Sequence, residues 1–388
     1  IVLRSYDGIS LTFPGKAATF EPRPHQHAAV ARMLAEPATG LFHEVGAGKT
    51  AEMVLGVMEL RRLGMVNKPA IIVPNQMLEQ FTREFKQIYP RAKVLAAGSD
   101  DIQTSGTRNG RKLFVARAQT GDWDAVILTH SAFERIGLGE AKTVYAQERL
   151  SELQQVLEAK LNSSLSERSV KRLEADVAKA EEKLKAQIDL PQDEGVSWEE
   201  TNIDYLCIDE AHKFKNLTVV TKVEDLNKGG GSNRATDLDM KLWYHRDHLG
   251  QSRVATLATA TPLPNSMIEM YVMMRYMRPD LLREAQVYSA DDWARQFTEQ
   301  VTAVEAKPNG GGFQVKTRTT KFRNVPELLR MWHVPGDVKT QSDLALPVPD
   351  LALNSDGKRA PEMIVVPARA AQEAGMLSSS TVVKMCAT

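Results

Sequence analysis

Apolar residues fall along this chain in two alternating rhythms. Unbroken apolar runs at Pro69-Ala70-Ile71-Ile72-Val73-Pro74, Lys93-Val94-Leu95-Ala96-Ala97 and Asp124-Ala125-Val126-Ile127-Leu128-Thr129 predict short strands buried on both faces. Two later runs do the same: Ile203 to Ile208, ending in Asp209-Glu210, and Val254 to Ala258, leaving through Thr259-Ala260-Thr261-Pro262. Between the runs, apolar residues recur at spacings of three and four. Ala28, Ala29, Val30, Met33 and Leu34 mark one helix, Met53, Val54, Val57, Met58 and Leu60 a second, and Leu78, Phe81, Phe85 and Ile88 a third. Alternating strands and helices predict an α/β fold whose parallel sheet is covered by helices on both faces. The opening, through Phe13-Pro14-Gly15-Lys16, shows a shorter strand-like alternation broken by turn residues.

Residues 141 to 190 interrupt this rhythm. Leu150, Leu153, Leu157 and Leu161 share one helical face, and after Asn162-Ser163-Ser164 so do Val170, Leu173, Val177, Ala180 and Leu184. The pattern predicts an inserted antiparallel helical hairpin. Its charged runs, such as Lys179, Glu181, Glu182, Lys183 and Lys185, fit a solvated face of a spacer or partner-binding arm better than a DNA site. Because the leucines can satisfy one another, the arm is expected to be separable from the rest. Further on, Asn227 to Asn233 is a glycine-rich loop, with Arg234 expected as a surface cap of the next helix. Met267, Met270, Tyr271, Met274 and Met277 form a core stripe. From about residue 285 the signal weakens. Lys307 to Gly312 reads as a turn, Phe313 to Phe322 as a strand with Lys316, Arg318 and Lys321 exposed, Pro347 to Pro361 as a linker and Met363 to Val366 as a strand, and the tail beyond Ala374 is expected to be disordered.

Composition narrows the partners. The 388 residues accommodate one large α/β domain with appendages, and Lys+Arg and Asp+Glu are both 49, so a polyanion site must be a local patch. Two cysteines, Cys207 and Cys386, make neither a disulfide framework nor a metal set. With no signal peptide and no long apolar run, the expectation is a cytoplasmic protein without a membrane partner. A first residue that is Ile1 rather than Met suggests a fragment or a processed chain.

The chemistry concentrates in His43-Glu44-Val45-Gly46-Ala47-Gly48-Lys49-Thr50, where an apolar run turns through two glycines into a helix. Glycines at 46 and 48 let successive N–H groups from Val45 to Thr50 curl around an anion, while Lys49 adds a point charge and Thr50 a hydroxyl for Mg²⁺. The glycine that usually opens this pattern is missing. Such a loop requires a metal-binding carboxylate at the end of a later strand, and Asp209 occupies that position, with Glu210 suited to orient and deprotonate water. Gln26, one helix ahead of the loop, can read an adenine edge, although taken alone a solvated helix start is the simpler reading. Thr259 and Thr261 carry hydroxyls that can sense a γ-phosphate, and Cys207 reads as a small core residue.

Taken in order, these stretches closely resemble the first motor lobe of helicase superfamily two, specifically the SWI/SNF-type DNA translocases. The matching phrases are RPHQ at 23–26, HEVGAGKT at 43–50, IIVPNQMLEQFTREF at 71–85, LTHSAFERI at 128–136, IDEAHKFKN at 208–216 and ATATPLPNSMIEMYVMMRYMRPDLL at 258–282. The hairpin and GSNRATDLDMKL further resemble large bacterial and mobile-element helicase-like proteins, some of them joined to adenine methylases. The resemblance covers residues 21–283 closely and 284–367 loosely. It implies a RecA-like P-loop NTPase lobe over 21–283, after an extension at 1–20. An accessory segment at 284–346 and a linker with the start of a truncated second lobe at 347–388 would follow. It also implies ATP and Mg²⁺, with Lys49, Asp209 and Glu210 catalytic and Thr50 and Asp209 on the metal. His212 and Gln26 would lie at the nucleotide, Thr259 to Thr261 would couple nucleotide to DNA, and Pro74, Asn75, Thr129 and Ser131 would lie on the DNA backbone. Nothing after residue 367 matches the second lobe, so that lobe is expected in cis or in trans. Two other functions fit the same residues: a nucleotide-dependent DNA- or partner-binding module, and a restriction-type translocase subunit.

Overall fold

The computed structural model describes residues 4–102, 109–161, 167–188, 196–219, 221, 223, 226, 231–263, 266–306, 313–344 and 357. Nine strands occur among them. β1 (Ala38–His43), β2 (Pro69–Val73), β3 (Val94–Ala97), β4 (Ala125–Thr129), β5 (Tyr205–Asp209) and β6 (Ala255–Ala258) are the predicted runs and the strand leading into the phosphate loop. β7 (Thr298–Ala306) and β8 (Phe313–Phe322) pair as a two-stranded ribbon, and β9 (Gly336–Lys339) follows. Seven strands form one sheet in the order β3-β4-β2-β5-β6-β1-β9, with every pairing parallel.

The two-residue period of a strand sorts each apolar run into two cores. Ala70 and Ile72 of β2, Val126 and Leu128 of β4, and Leu206 and Ile208 of β5 enter one core. Their neighbours Ile71, Val73, Ala125, Ile127, Tyr205 and Cys207 enter the other, with Ala29, Met33, Val54, Val57, Phe81 and Phe85 from the first three predicted helices. The fold is therefore an α/β sheet covered on both faces, as the alternation predicts. The methionine stripe is core: Met270, Met274 and Met277 of the helix Ile268–Met277 are buried.

Four expectations change. The opening residues form turns rather than a strand, because no strand offers them a ladder. Phe13 is instead buried beside the His27 ring, with centroids 5.0 Å apart. The hairpin helices Ala141–Leu161 and Glu167–Ile188 are present, but their leucines do not only satisfy one another, because the root of the arm packs into the lobe. Ala141, Tyr145, Ala146 and Leu184 lie in the main core, and Tyr145 Oη donates to Asp239 at 2.7 Å. Lys179, Glu182 and Lys185 are exposed, as a solvated face requires. Arg234 does not cap its helix, Asn233–Trp243, because the Ser232 hydroxyl accepts the Ala235 N–H at 3.2 Å. Finally, packing does not break at residue 283. The helices Ala290–Phe297 and Val325–His333 bury Trp293, Phe297, Met331 and Trp332 in the same core, and β9 extends the sheet beside β1. Residues 299–321 group separately, as the β7–β8 ribbon. The expected breaks at 162–164 and 307–312 and everything expected beyond 344 except residue 357 lie outside the described residues, as does most of the glycine-rich loop.

Candidate nucleotide and nucleic-acid site

Parallel pairing puts the ends of β1, β5 and β6 at one edge of the sheet. Asp209 pairs with Ala258 and Ala258 with Leu41, so the carboxylate pair, Thr259 and the turn after His43 share that edge. The Thr259 N–H donates to the Leu41 carbonyl at 3.1 Å, which fixes the β6 exit against β1.

The loop after β1 has the shape that the glycines predict. Gly46 and Gly48 both sit at φ 87°, and Gly48 is the N-cap of the helix Lys49–Arg62. A Cβ on Gly48 would lie 2.5 Å from Gln26 Nε2. Val45 is exposed, Ala47 is buried, and Lys49 and Thr50 are half-buried. The Lys49 ammonium folds back on its own loop, donating to the carbonyls of His43 at 2.9 Å and Glu44 at 3.2 Å. Those two carbonyls present to the ammonium what phosphate oxygens would present to it. Gln26 is buried rather than solvated: its Nε2 reaches the carbonyls of Ala47 and Gly48 at 3.4 Å and its Oε1 accepts the Arg23 N–H at 2.9 Å. His25 Nε2 also donates to the Ala47 carbonyl, at 2.8 Å.

Across β6, burial and then the neighbouring Glu210 raise the pKa of Asp209 to about 6, while Lys49 and Lys213 lower it. A half-buried carboxylate destabilised in this way fits a site completed by a cation. Glu210 adopts the left-handed conformation, φ 51°, which redirects the chain into the short turn Ala211–Phe214. His212 Nδ1 lies 3.0 Å from Glu210 Oε2 and 3.0 Å from Thr259 Oγ1. Burial first lowers the His212 pKa while the Glu210 charge opposes it, and a proton on Nδ1 can serve only one of those two acceptors at a time. Thr259 is fully buried and also accepts the Thr261 N–H at 3.2 Å, whereas Thr261 is exposed.

The stretches expected at DNA leave the same edge through β2 and β4. Asn75 Nδ2 donates to Ser131 Oγ at 2.8 Å, and the Ser131 N–H to Asn75 Oδ1 at 3.3 Å, so the sheet brings this pair together. Pro74 precedes the turn Asn75–Met77. Thr129 is different. It is buried, and its hydroxyl caps the helix His130–Glu134 by accepting the Ala132 N–H at 3.1 Å. His130, which sequence reasoning passed over, donates from Nε2 to the Asp209 carbonyl at 2.9 Å; burial pushes its pKa down to about 4. It ties the start of the Ser131 helix to the carboxylate strand. Also missed was a buried group behind the loop: His43 lies between Glu52, 2.8 Å from Nδ1, and Asp337, 3.1 Å from Nε2. Among the described residues, no cluster of His, Cys, Asp and Glu suits a metal, and no helix is long and apolar enough to cross a membrane.

A family model described as a probable helicase domain matches residues 32–340. The ISWI chromatin-remodeling complex ATPase ISW2 of Saccharomyces cerevisiae is 22% identical over 258 residues, 66% of this chain and 15% of the yeast protein. Two solved structures of the Sulfolobus solfataricus SWI2/SNF2 ATPase core are also similar. The one in complex with dsDNA has a TM-score of 0.39 and 14% identity, covering 72% of this chain and 40% of that one. The core domain alone gives 0.43 and 14%, covering 90% and 51%. The chain thus spans about half the length, or less, of the proteins it matches. Because the family match runs over most of its residues, the chain belongs to the probable helicase domain family.

Proposed function

We propose that this chain is the ATP-binding first lobe of a superfamily two DNA translocase of SWI/SNF type, using ATP and Mg²⁺ to move along duplex DNA. One observation carries the reading: the phosphate loop, Asp209-Glu210 and Thr259 converge at the carboxyl ends of β1, β5 and β6, with Lys49 near enough to lower the Asp209 pKa. In this reading the N–H groups from Val45 to Thr50 cradle the β- and γ-phosphates, and Lys49 exchanges two carbonyls for phosphate oxygens. Thr50 and Asp209 would hold Mg²⁺, which would supply positive charge to offset that on the transferring phosphoryl oxygens. Glu210 orients the attacking water and accepts its proton, and His212 holds Glu210 in place. Gln26, already packed on the loop, reads adenine, and the exposed Thr261 meets the γ-phosphate side.

DNA lies over Pro74, Asn75 and Ser131, and Thr129 acts by capping the helix that presents Ser131. The hairpin offers a surface to a protein partner. A second lobe, in cis or in trans, supplies charge from the far side of the phosphates, typically worth about 10³ to 10⁵ in rate. Phosphate release and equilibrium binding of a fluorescent ATP analogue test this, with and without duplex DNA. Glu210→Gln should bind the analogue as the wild type does and lose at least about a hundredfold in turnover. Undiminished turnover in that variant would overturn the assignment. Binding that responds to DNA without any turnover, even with the second lobe added, would favour the binding module.

A further inference from the structure

The two carbonyls on which Lys49 rests belong to His43 and Glu44, and both residues are gripped from the far end of the chain. The Glu44 N–H donates to the Lys339 carbonyl at 3.0 Å, the Gln341 N–H donates to Glu44 Oε2 at 2.7 Å, and the His43 ring pairs with Asp337. On the other side the ring is held by Glu52, one turn into the helix that the loop opens. His43 and Glu52 are fully buried and Asp337 nearly so, which leaves water little part in this arrangement. A buried group that joins a loop's first residue to the helix after it and to a strand almost 300 residues downstream sets where the loop sits.

We propose that His43 is a positioning residue for the phosphate loop, and that through it the segment Gly336–Leu344 sets the loop's affinity for the phosphates of a nucleotide. The inference rests on the nucleotide-site reading above. Loss of the Asp337–His43–Glu52 bridge frees His43 and Glu44 to follow the Lys49 ammonium, so the loop keeps its internal bonds instead of releasing the lysine to phosphate. The titratable and charged groups around His43 are Glu52 from the loop helix, Asp337 and Lys339 from β9, and His25 and Arg32 from the helix Pro24–Ala35. Burial alone would lower the His43 pKa, but the two flanking carboxylates, Asp337 in an ion pair and Glu52 hydrogen-bonded to Nδ1, outweigh it and hold the ring at about 9. The imidazolium therefore persists through neutral pH.

The test measures Kd for a fluorescent ATP analogue with Mg²⁺ from pH 7 to 10, on wild type, Asp337→Asn and His43→Gln, at a temperature where circular dichroism shows each folded. Hydrogen exchange of residues 43–50 is followed without nucleotide. Wild-type affinity should fall with a midpoint near pH 9. Asp337→Asn, which removes one of the two carboxylates that hold the proton, should bind about tenfold more weakly at pH 7 and move the midpoint down by at least one pH unit. His43→Gln should abolish the limb, and both variants should speed exchange in the loop. An unmoved midpoint in Asp337→Asn would assign the limb to Lys49 and overturn the proposal, as would unchanged Kd and exchange in the folded variants. Should His43→Gln not fold, the wild-type and Asp337→Asn profiles decide alone. A wild type that binds no nucleotide at any pH would instead refute the nucleotide site itself, while the exchange data would still report whether β9 holds the loop.

Discussion

Removing the Asp239 carboxylate should loosen the hairpin and the lobe together. Asp239 is buried, accepts from Tyr145 Oη at 2.7 Å, and meets Arg275 at 3.2 and 3.3 Å and Arg149 at 3.7 Å. These partners come from the hairpin root and from the helix Ile268–Met277, so one carboxylate joins three helices. Burial would raise its pKa, but the two guanidiniums outweigh burial and hold it at about 2. Against an ordinary value of 3.8, that depression amounts to roughly 2 to 3 kcal/mol of stability. Asp239→Asn, which keeps the shape and loses the charge, should cost about that much. Asp239→Ala also strands two guanidiniums and should cost about 3 to 5 kcal/mol, or on the order of 10 °C in Tm for a domain of this size.

Urea unfolding followed by circular dichroism at pH 7 measures both variants. A depressed pKa gives stability that is present above the usual carboxylate pKa and lost as pH falls through the folded value. The gap between wild type and Asp239→Asn should therefore stay level from pH 5 to 8 and close between about pH 4 and 2. A loss under about 0.5 kcal/mol in Asp239→Ala would mean that water already solvates the arginines. The hairpin root would then be an open joint, and an arm excised and replaced by a short linker would leave the lobe intact.

Two further outcomes follow from the loop. Lys49→Ala should abolish binding of a fluorescent ATP analogue while leaving the melting temperature nearly unchanged, because the ammonium's partners are two carbonyls on its own loop; a titration showing wild-type affinity would remove the phosphate-loop assignment. Gly48→Ala combines a φ of 87° with a Cβ placed 2.5 Å from Gln26 Nε2, so it should displace Gln26 and cost roughly 1 to 3 kcal/mol in calorimetry. A neutral result there would show that the loop adopts another backbone path.

The central strands were legible because a parallel strand buried on both faces is apolar at most positions, and such runs are hard to mistake. β9 was not. Gly336-Asp337-Val338-Lys339 has one large apolar side chain, Val338, and that is partly exposed, while its acid is buried only because His43 waits for it. Ion pairs between distant segments leave no period in a sequence, which is also why the anchoring of the hairpin root went unread. At the site, the glycines, Lys49 and the Asp209-Glu210 pair were legible as local chemistry, and the sheet puts them on one edge. Thr129 shows where local reading stops. A threonine before a short helix is an N-cap by position, and its hydroxyl accepts the Ala132 N–H.

The placement of β1 also bears on how the chain is made. Its two sheet neighbours pair through Ala38 with Ala255 and Gly40 with Gly336, so neither exists when β1 leaves the ribosome. At about 5 to 20 residues per second, β1 waits on the order of 10 to 40 s for the first neighbour and longer for the second. Throughout that interval a strand that is wholly buried in the folded protein has two open edges, the condition under which chains pair with one another. Nascent chains halted before residue 336 would still expose one of them. Holding factors on the growing polypeptide, rather than the speed of the final collapse, would then govern how much active protein a cell recovers.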